Sequence, residues 1–195
     1  QVERITNIVR QLLNLARPYK IQRVAVDLNA LILGTLETLE TKLEPARVVV
    51  EFQPARIVQV SGDQGLLRQV FINIVVNAIH AMPQGGHLRI QYDDQVTEKD
   101  GEQFIGVRFS DTGIGIEEDA FPVLFDPFYT TKEVGSGVGL GLPVSRRIVE
   151  EHDGWIEVAN NHDRGVTFTV YLQLYRAQPD AAALTPSLEK ESVAQ

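Results

Sequence analysis

The sequence contains no cysteine. That absence removes disulfide staples, thiolate zinc sites and thiol nucleophiles together, and it fits a reducing compartment. Any metal must therefore be held by oxygen or nitrogen. Long apolar runs are missing too: nothing approaches the roughly 18 to 20 consecutive apolar residues of a membrane span, and no basic segment followed by an apolar one opens the chain. The chain reads as a soluble, cytoplasmic piece. Basic charge is scarce, with 18 Lys and Arg against 26 Asp and Glu and a formal net charge of -8. That balance argues against a nucleic-acid or anionic-membrane surface as the main partner, because either selects a basic face. No internal repeat is visible.

What is present suffices for one core plus a short appended element: 195 residues, 44% of them hydrophobic. The opening QVERITNIVRQLLNLARPYK sets Val2, Ile5, Val9, Leu12, Ala16 and Tyr19 at steps of three and four, and Pro18 ends or kinks the helix. By pattern alone, this helix lies on its own domain or packs in a bundle or dimer. Because the chain opens on Gln1 within that pattern, it reads as a piece of a longer protein whose remainder could carry a membrane anchor. Asp27 caps a second helix from Leu28 to about Glu44, closed by Pro45. RVVVEF and RIVQVSGD read as a β-hairpin, a helix follows from about Asp63 to Met82, and PQGG breaks it. HLRIQY and EQFIGVRFS read as strands joined by DDQVTEKDGE, a charged turn expected to be solvated and mobile. From Asp111 to Gly141 no period is sustained, so this long loop region is expected to be functional. A helix from about Leu142 to His152 and the strands GWIEVAN and VTFTVYLQLY complete the pattern. The end, AQPDAAALTPSLEKESVAQ, has no core-forming pattern and reads as a disordered tail. The fold class is α+β: a two-layer sandwich with a mixed, mainly antiparallel sheet of about six strands, covered by about three helices and preceded by one amphipathic helix. The division is 1–20 for the leading helix, 21–176 for the domain and 177–195 for the tail.

Three stretches carry chemistry that fits a nucleotide. In LLRQVFINIVVNAIHA, Asn73, Asn77 and His80 stand at i, i+4 and i+7, one polar stripe on an otherwise apolar helix. An amide oxygen suits Mg²⁺ when phosphates and water complete the shell, although such side chains are also satisfied in cores or by solvent. In FIGVRFSDTGIGI, a strand runs into Asp111, Gly113 and Gly115. Its carboxylate could accept a hydrogen bond from an exocyclic amine such as adenine's, while glycines allow close backbone approach; Asp-Thr-Gly also makes ordinary turns. In VGSGVGLGLPVSRRIVEEH, Gly135, Gly137, Gly139 and Gly141 precede a helix whose N-terminal N–H groups favour phosphate. A glycine run is equally a flexible loop. Neither a GxxxxGK[ST] P-loop nor an HRD and DFG set is present.

Taken together and in order, NAIHA at Asn77, DTGIGI, FDPFYTTK and GVGLGL resemble the N, G1, F and G2 boxes of the histidine kinase family. The resemblance covers roughly residues 27 to 175, within the wider superfamily that shares the Bergerat nucleotide fold with gyrase-type ATPases. It implies that Asn77 binds the Mg²⁺ bridging the phosphates of ATP, that Asp111 reads the adenine amine with Gly113 and Gly115 beside it, and that Asn73 and His80 contact phosphates or metal-bound water. It places Phe125 and Phe128 as anchors of a lid, with Thr130, Thr131 and Lys132 near the nucleotide and Lys132 reaching the terminal phosphate. Gly137, Val138, Gly139, Leu140, Gly141 and Leu142 would cradle the phosphates, and Thr167 would serve the adenine side through water. Hydrolytic relatives carry a Glu general base where this chain has Asn73, whose amide accepts no proton at neutral pH; ATP would be held for transfer, with ADP as product. The opening helix resembles the second helix of a dimerisation and phosphoacceptor hairpin of the nitrogen-regulator type. The implied partners are that acceptor domain, a homodimer through the hairpin and a response regulator receiver. None of the four histidines, His80, His87, His152 and His162, stands in an acceptor context, and the last three read as structural or solvent-facing. Two other readings stay open: an ATPase clamp of the same superfamily, and a nucleotide-independent interaction module.

Overall fold

The computed structural model describes residues 20–54, 58–130 and 138–176. Apart from Lys20, the leading helix expected at 1–20 lies outside the described residues, as does the tail expected at 177–195. No helix among the described residues is long and apolar enough to cross a membrane.

Strand β1 (Val24–Asp27) leads into helix α1 (Leu28–Leu43). Asp27 stays extended, and its carboxylate accepts from the N–H groups of Asn29 and Ala30 at 2.8 and 3.2 Å, so it is the N-cap the sequence marks. Leu28, Leu31, Ile32, Thr35, Leu39 and Leu43 form the buried face. Helix α2 (Gln64–Ala81) repeats the device, with Asp63 accepting from Gly65 and Leu66.

The expected hairpin does not form. Strand β2 (Val48–Phe52) runs parallel to β4 (Gly86–Tyr92), with Val48 opposite Gly86, whereas β3 (Gln59–Gly62) pairs antiparallel with β1. β-Branched residues mark both segments as strands but do not choose partners, and the link at residues 53–58 is too long to force pairing as a two-residue turn does. The charged connection beyond Tyr92 is likewise not a plain turn. It contains β5 (Thr97–Lys99), paired with β6 (Glu102–Asp111) through Asp100 and Gly101, whose φ angles of 53° and 79° are those of a two-residue hairpin turn.

The main sheet runs β2-β4-β6-β8-β7, with β5 on β6. Here β7 is Trp155–Asn160 and β8 is Val166–Gln173. Apart from β2 with β4, its pairs are antiparallel. With β1 and β5 added to the six foreseen, the described residues hold eight strands. Helices α1, α2 and α3 (Gly141–Glu151) share one core with the sheet's inner face. The expected two-layer α+β sandwich is therefore present. Phe71 of α2 meets Phe109 of β6 at 5.2 Å between ring centroids, both almost fully buried; each large apolar side chain so buried contributes roughly 1.5–3 kcal/mol. A short 3-10 turn (Glu118–Val123) breaks the region read as loop.

Candidate functional site

The site is built where β6 runs out over the end of α2. Ile105, Val107 and Phe109 point into the core, and Asp111 continues that alternation, so its carboxylate lands on the helix side and is only 4% exposed. Oδ1 accepts from Gly113 N–H at 2.8 Å and from Val166 N–H at 3.3 Å. Burial pushes the Asp111 pKa above the ordinary carboxylate range, and the two N–H groups oppose this without cancelling it. Gly113 is required here: a Cβ would lie 2.7 Å from both the Cβ and the carbonyl oxygen of Ala81. The segment is pinned to α2 by Ile114 N–H donating to the Ala81 carbonyl at 3.1 Å. Gly115 has φ 80°.

Along α2, Asn73 and Asn77 are half-buried and His80 is exposed. The Asn73 amide nitrogen donates to the Gly141 carbonyl at 3.1 Å and to Ser145 Oγ at 3.0 Å, while the Ser145 hydroxyl donates to the same carbonyl at 2.8 Å. Asn73 thus fastens α2 to the first turn of α3, and Ser145 is a partner the sequence reading missed. Nothing in VSRRIVEEH singles it out.

The FDPFYTTK and GVGLGL stretches meet directly. Phe128 N–H donates to the Gly139 carbonyl at 3.0 Å, and Gly139, at φ 70°, has no room for a Cβ, which would come within 2.6 Å of the Tyr129 carbonyl oxygen. Val138 is half-buried, Leu140 is buried where α3 begins, and Leu142 packs on the core beside Gly141. Phe125 packs against the core, with the Arg146 guanidinium 5.4 Å from its ring centre. The Phe128 side chain, by contrast, is 58% exposed among the described residues and its backbone is strained at φ 70°, so its tie to the glycine stretch runs through its N–H and not through its ring. Thr130 is exposed, and Thr131, Lys132 and Gly137 lie outside the described residues.

Thr167 stands apart from the others. In β8, Val166, Phe168 and Val170 face the core, so Thr167 faces the opposite side, where its hydroxyl meets Ser110 at 2.7 Å and donates to Asn161 at 2.6 Å. The strand's period of two turns it away from Asp111, and Val166 occupies the place beside the carboxylate. Also missed is the turn between β7 and β8. Gly165, at φ 87°, lies so close to the Asp111 carbonyl that any Cβ would overlap it. The Asn, Asp and Gly of NNHDRG signal a turn, but not what the turn will touch.

The remaining histidines are structural or exposed. His152 is fully buried, accepting from Asp63 N–H at Nε2 (3.0 Å) with Nδ1 2.6 Å from the Ile148 carbonyl. His87 and His162 are exposed beside Glu51 and Asp163. Among the described residues no three His, Asp or Glu gather into a metal cage.

Residues 62–176 match the family described as histidine kinase-, DNA gyrase B-, and HSP90-like ATPase. Signal transduction histidine-protein kinase AtoS of Escherichia coli (strain K12) is 37% identical over 175 residues, which is 89% of this chain and 28% of AtoS. The chain thus spans under a third of that protein's length. The catalytic domain of histidine kinase ThkA superposes with a TM-score of 0.67 at 30% identity, covering 78% of this chain and 97% of that domain. ThkA in complex with response regulator protein TrrA gives a TM-score of 0.71 at 26% identity, covering 88% of this chain and 48% of ThkA. By the family match over residues 62–176 and the likeness to the ThkA catalytic domain, the chain belongs to the histidine kinase-, DNA gyrase B- and HSP90-like ATPases, as the nucleotide-binding catalytic domain of a histidine kinase.

Proposed function

We propose that this chain binds Mg-ATP and transfers the γ-phosphate to a histidine on a dimerisation hairpin, for onward passage to a response regulator. The observation that carries the reading is the Asp111 carboxylate, held by two N–H groups at one oxygen. That leaves the other oxygen to accept from the adenine amine. The Asp must be ionised to act as a pure acceptor, so adenine binding weakens on acidification at a pH above the usual carboxylate range.

The donor set suits Mg²⁺ in the manner of a phosphate-bound ion. Asn77 offers one amide oxygen, no acidic cage gathers around it among the described residues, and such an ion takes most of its shell from phosphates and water. When bound, it would neutralise phosphate charge. His80, Lys132 and the Gly137 to Leu142 segment would hold the phosphates, and the N–H groups opening α3 favour the anion. Asn73 opposes hydrolysis twice over: an amide cannot deprotonate water, and its nitrogen is already committed to Gly141 and Ser145. Residues 1–20 would be the end of the dimerisation helix, and 21–176 the ATP domain on the cytoplasmic side. The ThkA complex with TrrA supports the response regulator as the final acceptor.

The test mixes this chain, Mg-ATP and a separate hairpin bearing a histidine. Acid-labile phosphate should appear on the hairpin and be lost with Asp111→Asn or on magnesium removal. Sustained phosphate release that needs no histidine partner would favour a clamp ATPase instead.

A further inference from the structure

We infer that the turn joining β7 to β8 is the positioning element of the adenine site: Asn161 and Arg164 hold the Asp111–Gly113 backbone so that one carboxylate oxygen is spent on the chain and the other faces the base. The inference rests on the reading of Asp111 as the adenine contact.

The turn is closed by Asn161 N–H donating to the Gly165 carbonyl at 2.9 Å. From it, three side chains reach across to the segment after β6, and all of them grip backbone. The Asn161 amide nitrogen donates to the Asp111 carbonyl at 2.8 Å. Arg164 Nε donates to the Gly113 carbonyl at 3.1 Å. Asn160 pairs with Ile116 in both directions, accepting from its N–H at 2.9 Å and donating to its carbonyl at 2.7 Å. Immediately after the turn, Val166 N–H reaches Asp111 Oδ1 itself.

The network has a direction. The Thr167 hydroxyl donates to Asn161 Oδ1, so its single proton is used and Ser110 must be the donor to Thr167. The chain Ser110 to Thr167 to Asn161 to the Asp111 carbonyl therefore fixes which end of the Asn161 amide faces Asp111, and each bond polarises the next. Thr167 serves the base from behind the sheet, by orienting Asn161. Arg164 works through geometry, not charge: the causes that move the Asp111 carboxyl are burial and the N–H groups of Gly113 and Val166, and no guanidinium is among them.

Binding of ADP and inosine diphosphate to this chain, measured by calorimetry with Mg²⁺ present, tests the inference, because the inosine base carries a carbonyl where adenine carries the amine. The parent chain should prefer ADP. Asn161→Ala, Arg164→Ala and Thr167→Val should each weaken ADP by about tenfold, the loss of roughly one well-placed hydrogen bond, and leave inosine diphosphate within about twofold. Thr167→Ser and Arg164→Lys, which restore a donor, should recover most of the preference. Arg164 is exposed, so its variants stay folded even where Asn161→Ala does not, and melting curves separate the cases. Equal weakening of both nucleotides, or none, overturns the positioning role. Asp111→Asn in the same assay tells the two readings apart. If it abolishes the preference while the turn variants keep it, the positioning role alone falls. If Asp111→Asn also keeps it, the adenine reading falls and the positioning role with it.

Discussion

Two residues have roles that their side chains alone do not announce. Gly165 is forced by its φ of 87° and by the Asp111 carbonyl pressed against it. Gly165→Ala should destabilise the domain by about 2–4 kcal/mol, read as a lowered urea midpoint, and should loosen nucleotide binding as well. His152 is held neutral by burial, which pushes its pKa below the ordinary range of an imidazole, with Nε2 accepting from Asp63 N–H. The unfolded chain takes up the proton first, so stability is full above the unfolded value of about 6.5 and is lost as pH falls below it. His152→Gln should flatten that acid limb of a stability against pH curve; an unchanged limb would assign the loss to other groups. At this scale the sequence was informative where chemistry is rare and local. Asp111 stands out because a carboxylate follows an apolar alternation, and that alternation itself says it points inward. Thr167 defeats the same approach, because a motif resemblance carries no strand parity, and one position decides the face.

At the scale of elements, helices α1 and α2 were legible to within a residue or two, since an Asp cap and a spaced apolar face are both local signals. Strand partners were not legible. β2 and β3 look alike in sequence, and their separation into two sheets follows from which edge each can cover, a decision taken by β4 and β1 far along the chain. The Asp100–Gly101 turn was readable in principle, but the charged residues around it masked a strand with no buried side chain. The tie between α2 and α3 has its own test. Asn73→Ala removes two donors at once and should cost about 1–2 kcal/mol in unfolding free energy. Because the first turn of α3 is then less firmly held, phosphate-bearing ligands should lose more affinity than adenosine. Equal losses would show that Asn73 supports the fold without shaping the phosphate end.

For the molecule as a whole, the layering among the described residues places a sheet under three helices, with Asp111 and the first turn of α3 both against α2. Ligand that binds only the folded state raises stability by mass action, by about 2.7 kcal/mol at a hundred times Kd. Melting of this chain should therefore shift upward with Mg-ADP, and the shift should shrink sharply in Asp111→Asn; a shift unaltered by that change would place the ligand elsewhere. The same layering has a consequence in time. Val166 donates to the Asp111 carboxylate across 55 positions of chain. A ribosome adding about 5–20 residues each second needs roughly 3–11 s to travel from one to the other. Throughout that interval the nascent chain carries Asp111 without the strand that orients it. Nucleotide competence is thus among the last properties the domain acquires during synthesis, and a product truncated before Gly165 should emerge unable to retain ATP.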